Sequence, residues 1–187
     1  MSKYIEIKTL EISGFGAALQ ALRLPFGKEC RSLATFEHRF NDSERADEPF
    51  FESKCVVDFE PKDLHLMSVL TKRGDEHAKV IRGIMVFAQI DAPRYWWQEM
   101  DTYRIGTDRL SSESTMHIQG KGMSEDELIA MKETLTEGTM QKRVQVFSYQ
   151  TLRRIYFQRR NHRLPHWREF CKWVEKLPYS SELITIE

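Results

Sequence analysis

The chain has 187 residues, 28 Lys and Arg against 28 Asp and Glu, and 41% hydrophobic side chains, so its formal net charge is zero. That balance excludes a protein that coats nucleic acid through overall positive charge. No apolar run approaches the ~18 residues of a membrane span, and the start MSKYIEIKTLEIS has no apolar signal core. The expectation is a cytoplasmic protein with no membrane partner, folded as a single domain over 1–187. A chain of this length buries roughly two-thirds of its unfolded surface. Cys30, Cys55 and Cys171 are an odd set at wide spacings, which argues against a disulfide framework; each reads as a small buried hydrophobe.

In chain order, Lys3 to Ile12 alternates as Tyr4, Ile5, Ile7, Leu10 and Ile12, which predicts a strand. Gly14 and Gly16 break it, and Ala17 to Leu24 follows as a short helix stopped by Pro25. Phe26 to Ser53 shows no firm period. A short strand is expected at Cys55–Phe59, then a helix from Pro61 to Lys72 that stops at Gly74. Asp75 to Arg82 reads as a further helical turn before an apolar strand at Ile84–Ile90. Asp91 as cap and Pro93 in the first turn predict a helix running to about Ile105, with Gly106 as its stop. Thr107 to Thr115 reads as a polar loop. Ser124 and Glu127 form a capping-box pair that predicts a helix over Ser124–Thr136. Two last helices are expected over Ser148–Asn161 and Pro165–Lys176. The fold class is α+β, a single mixed α/β domain rich in helix.

Pro93 to His117 is the densest polar–aromatic stretch, with two adjacent tryptophans, two tyrosines, three arginines and four acids. On a helix, Tyr95, Trp96, Glu99 and Tyr103 come within reach of one another, and Trp97, Asp101 and Arg104 take another side. One reading is a wall on which a planar ring stacks, its edge oriented by Glu99 and Asp101. The other is core bulk, with the two acids paired to Arg94 and Arg104. Ser111, Ser112, Ser114 and Thr115, in one segment with His117, offer hydroxyls for a phosphate, with charge from Arg104 or Arg109. Ser114 and His117 as a nucleophile–base pair lack a recognisable context.

Between Lys142 and Arg168 lie eight Lys or Arg residues and no acid, after a stretch from Ser124 to Glu137 with five acids and one Lys. This points to a local anionic partner. Leu152, Ile155 and Tyr156 form an apolar stripe that Arg159 continues, so one arginine points inward and needs an anion. Arg153 and Arg160 read as a solvated face. The neutral total argues against nucleic acid as partner. The six histidines have no ligand spacing, and Pro165 separates His162 from His166, so no metal site is expected.

The order of these features resembles the flavin-dependent (alternative) thymidylate synthases. Glu76-His77 matches an early Glu-His of that family, and Tyr103-Arg104-Ile105-Gly106-Thr107 sits where its Arg-His-Arg-x-x-Ser core falls. Ser112 or Ser114 takes the later serine, and Leu152 with Arg159 the late Leu and Arg that hold nucleotide. The likeness spans roughly Gly74 to Arg168. Thr102 and Tyr103 stand where the family has its first Arg and its His, and no Arg follows the later serine. The chain is also similar to bacteriophage-encoded proteins sharing PRYWW-x-E-x-DTY, S-x-STMH and FQRRNHRLP-x-W, which implies a phage origin and a host-cytoplasmic setting.

The resemblance implies a thymidylate-synthase-complementing-like core, a deoxyuridylate-like nucleotide ligand, flavin adenine dinucleotide (FAD) and folate as cofactors, and a homo-oligomer with sites shared between subunits. The implied phosphate-binding residues are Arg104, Thr107, Arg109, Ser112, Ser114 and Arg159. His77, Trp96, Trp97, Glu99, Asp101 and Tyr103 are the candidates for cofactor contact or ring stacking. Two functions follow. One is a nucleotide-binding enzyme with flavin-dependent methylation. The other is an inactive binding protein on the same scaffold that captures a nucleotide signal or a host protein.

Overall fold

The computed structural model describes residues 4–28 and 59–187. Most of Phe26–Ser53, the strand expected at Cys55–Phe59 except Phe59 itself, and Cys30 and Cys55 lie outside the described residues. Four strands, β1 (Glu6–Ser13), β2 (Met85–Pro93), β3 (Thr107–Ser112) and β4 (Met140–Ser148), form one antiparallel sheet in the order β1-β2-β4-β3. Eight α-helices are described: α1 (Phe15–Arg23), α2 (Pro61–Lys72), α3 (Arg94–Met100), α4 (Thr115–Ile118), α5 (Glu125–Thr134), α6 (Tyr149–Arg159), α7 (Pro165–Glu175) and α8 (Ser180–Leu183). The helix-rich α+β class expected from the sequence is the one observed. Asp75–Arg82 differs in detail, forming a 3-10 turn over Ala78–Gly83. No helix among the described residues is long and apolar enough to cross a membrane.

β2 alternates as the sequence implies: Val86, Ala88, Ile90 and Ala92 are fully buried beneath the helices. Phe147 on β4, Leu152 and Ile155 on α6, Trp167, Phe170 and Val174 on α7, and Phe15 and Leu19 on α1 complete that core. Trp173 of α7 ties the layers together by donating its ring N–H to the Thr9 hydroxyl of β1 at 3.0 Å.

The predicted helix start at Asp91 is corrected. Asp91, Ala92 and Pro93 stay extended because they lie opposite Lys142, Gln141 and Met140 of β4. The first free amides of α3, on Arg94 and Tyr95, donate to the Thr139 and Glu137 carbonyls at 3.1 and 3.0 Å instead of to a side-chain cap. The helix also ends early, at Met100, so it is half the expected length. Beyond it the chain turns through Gly106, whose φ of 76° is left-handed; a Cβ there would collide with the Thr151 and Ser148 hydroxyl oxygens. Thr151 donates to the Ile105 carbonyl at 2.8 Å, and the Ser148 amide donates to the Gly106 carbonyl at 2.8 Å. The start of α6 therefore clamps the turn after α3.

The predicted polar loop at Thr107–Thr115 is also corrected: Thr107–Ser112 is the edge strand β3, paired to β4 with a bulge between Arg109 and Ser111. β4 itself escapes sequence detection because its pattern is inverted. Gln141, Arg143 and Gln145 share the helix-covered face with Ala92, Ile90 and Ala88 across the ladder, whereas Val144 and Val146 face the other way. α5 carries the expected capping box, Ser124 and Glu127 bonding each other's backbone, and no residue of it is buried.

Candidate functional site

Inverting β4 brings polar side chains under the roof of α3, where the sheet opens into two clefts on either side of Tyr103–Arg104. The first, about 440 Å³, is lined by Met100, Asp101, Tyr103, Arg104, Thr107, Asp108, Arg109 and Gln145. The second, about 560 Å³, is lined by Thr102, Tyr103, Arg104, Ile105, Arg154, Gln158 and Arg159. Both lie within the size range of small-ligand pockets, roughly 300–1,000 Å³.

Beside the first cleft, Arg143 is only 9% exposed. Its Nη1 donates to both Asp101 carboxylate oxygens at 2.8 and 3.0 Å, its Nε donates to Gln141 at 3.1 Å, and its guanidinium lies 4.4 Å from the Trp97 ring centre. Burial pushes its pKa down; the Asp101 hydrogen bond and charge push it back up, and Arg109 and Arg94 depress it further. A buried cation with two like charges nearby and one half-exposed carboxylate to offset them makes this wall attractive to an anion.

The second cleft rests on a network centred on Glu99. Its Oε2 accepts from Arg159 Nη1 at 2.7 Å and from Trp167 Nε1 at 2.8 Å. Arg159 Nε donates to the Tyr103 hydroxyl at 2.7 Å, and its guanidinium sits 4.4 Å from the Trp167 ring centre. The inward arginine expected on the α6 stripe is thus present, and its anion is Glu99. Because the Tyr103 oxygen is already accepting from Arg159, its own hydrogen is left to donate elsewhere.

These contacts sort the sequence candidates. Asp101, Tyr103, Arg104, Thr107, Arg109 and Arg159 converge on the clefts. Trp96 and Trp97 do not: both are fully buried, packed edge-on to each other with ring centres 4.9 Å apart, and Trp96 lies equally close to Trp167. The ring-stacking wall is therefore corrected to core bulk. The ion pairs expected with Arg94 and Arg104 are corrected too, since Glu99 bonds Arg159 and Asp101 bonds Arg143. Ser112 and Ser114 lie outside both cleft linings: Ser112 is paired to Arg143 at the far end of β3, and Ser114 precedes α4. The Ser114 carbonyl accepts from the His117 amide, and no side-chain cap bond forms there. His77 is about half exposed beside Glu76 and outside both linings. Cys171 is buried, and burial pushes its thiol up to about 12.

Arg143, Gln145, Arg154 and Gln158 were missed. Polar residues at every second position from Gln141 to Gln145 were the available signal for the first two.

No family model matches the sequence, and no curated protein matches it. The chain is similar in structure to a flavin-dependent thymidylate synthase ThyX from Helicobacter pylori complexed with FAD and dUMP. The TM-score is 0.65 over 96% of this chain and 98% of that one. The fold is that of a flavin-dependent thymidylate synthase. A second Helicobacter pylori ThyX structure with FAD and dUMP superposes with a TM-score of 0.66 over 97% of this chain and 98% of that one. Sequence identity is 14% in both cases, so the thymidylate synthase likeness is one of fold.

Proposed function

We propose that the chain binds a deoxyuridylate-like nucleotide, together with FAD, and carries out flavin-dependent methylation of the kind the fold's solved representatives are named for. The carrying observation is the cluster of Arg143, Arg109 and Arg94, with Asp101 the one carboxylate among the described residues that bonds Arg143, beside a cleft lined by Arg104 and Arg109 and by the acids Asp101 and Asp108. A phosphate on Arg104 and Arg109 would take charge-assisted hydrogen bonds from both guanidinium groups. The donors of the second cleft fit FAD. Arg154 and Arg159 line that cleft while paired with Asp75 and Glu99, so the FAD pyrophosphate would share those guanidinium groups with the carboxylates, and Gln158 supplies neutral hydrogen bonds. FAD, when bound, supplies the hydride, and folate the one-carbon unit. The chain's own part is to hold the two ligands on either side of Tyr103–Arg104, with the Tyr103 hydroxyl fixed by Arg159 as a donor.

The phage origin and host-cytoplasmic setting implied by the three sequence signatures belong to the same reading. So does a homo-oligomer, supported by the exposed apolar side chains Ile105, Leu110, Met116, Ile118 and Ile129.

Titration calorimetry with dUMP, after saturation with FAD, tests the reading. Arg104→Ala is expected to weaken dUMP binding by roughly tenfold or more, the scale of one lost charge-assisted contact, with an unchanged melting temperature. Equal affinity in the variant, or its unfolding, would remove Arg104 from the phosphate site. Binding without turnover of dUMP would leave the inactive binding protein as the better description.

A further inference from the structure

Of the three polar residues that β4 turns inward, two have side-chain partners within the fold. Gln141 donates to the Glu113 carbonyl at 3.0 Å and accepts from Arg143, which also holds Asp101. Gln145 is different. It is 4% exposed and lines the first cleft, yet its Oε1 has no hydrogen-bond partner among the described residues. Arg109 lies directly opposite on β3 and does not donate to it, and on the other side the ladder partner is the apolar Ala88. A buried carbonyl oxygen without a donor costs about 1–3 kcal/mol. Leu or Met would fill the same volume without that cost, so the carboxamide is open to a partner outside the described residues.

We propose that, given the nucleotide reading above, Gln145 is a specificity residue that recognises the edge of the ligand's ring. A planar amide edge, N–H beside C=O, matches a carboxamide atom for atom: the ring N–H donates to Oε1, and the ring carbonyl accepts from Nε2. Pyrimidine rings of the uracil type carry that edge. The arginines are disposed to suit it: Arg104 and Arg109 line the same cleft but are exposed, so the charged end of the ligand meets them at the rim while its ring reaches the buried amide. A sugar phosphate without a base would use the rim alone.

The test measures dUMP and 2-deoxyribose 5-phosphate binding by calorimetry on the full chain, in wild type and in Gln145→Leu. Gln145→Met, an unbranched isostere, is carried alongside in case Leu does not fold. Both variants are expected to bind dUMP more weakly by roughly tenfold or more, the scale of one two-bond contact to a base. They are expected to bind the sugar phosphate as wild type does and to melt no lower, since each removes an unpaired buried oxygen. Unchanged dUMP affinity would overturn the role of Gln145 while leaving the nucleotide site standing, as would a parallel loss of both ligands. Wild-type protein that binds neither ligand would overturn the nucleotide reading itself, and this assignment with it.

Discussion

At the residue scale, His166 shows how burial sets a charge state. Its Nε2 is joined to the Tyr95 hydroxyl at 2.8 Å, its ring packs against Tyr4 and Tyr95, and its Nδ1 has no partner. Burial lowers its pKa below the ordinary 6.5, with the Glu99 charge opposing more weakly. Protonation would add a charge and a second N–H donor where no acceptor waits. The unfolded chain takes up that proton near 6.5 and the folded one resists it, so this part of the stability is intact above 6.5. It is lost as pH falls below that value. Melting temperature followed from pH 8 to pH 5 is therefore expected to fall more steeply in wild type than in His166→Gln, which keeps a partner for Tyr95 but does not titrate. Parallel curves would show that His166 protonates freely in the fold.

At the element scale, α3 is decided by what surrounds it. Seven residues are too few for a stable isolated helix. The carbonyls of Thr139 and Glu137 hold its first turn, and Trp96, Trp97 and Met100 anchor it in the core. Trp96→Ala is expected to cost about 3–5 kcal/mol in urea unfolding, as for a large aromatic cut from a packed interior. A loss under about 1 kcal/mol would be an exposed-site value and would return Trp96 to the list of ligand contacts. The same helix explains why its acids escaped assignment from spacing. Glu99 and Asp101 bond Arg159 and Arg143, 60 and 42 positions away, and no local periodicity encodes such partners.

At the scale of the whole molecule, the basic segment after Lys142 is largely neutralised from within. Arg143 bonds Asp101, Arg154 bonds Asp75, Arg159 bonds Glu99, and Arg160 bonds Glu187. Arg153 donates to the Ile184 and Ile186 carbonyls near the C-terminus, and Arg168 to those of His162 and Arg163. A face spent on internal partners has little left for a nucleic-acid backbone. The apolar side chains exposed between Ile105 and Ile129, by contrast, have no cover among the described residues. Light scattering on the purified chain is expected to give a mass at least twice the 22.2 kDa of one copy, and a monomer at micromolar concentration would remove the oligomer from the reading.

Local rules were enough wherever a signal and its consequence lie within a few residues. The alternation of β2, the Ser124–Glu127 capping box, the Ser148 and Pro165 helix starts and the apolar stripe of α6 could all be read from the chain, because each rests on backbone periodicity or a nearby cap. The helix-rich α+β class was legible too. Contacts across the sheet decided the rest. Pairing with β4 kept Asp91–Pro93 extended and made Thr107–Ser112 a strand, and docking on Ser148 and Thr151 fixed the turn between them. The polar alternation of Gln141, Arg143 and Gln145 could have belonged to a solvated face. Only the packing of α3 over β4 turned it inward, burying Arg143 against Asp101 and leaving Gln145 with an unpaired oxygen at the cleft.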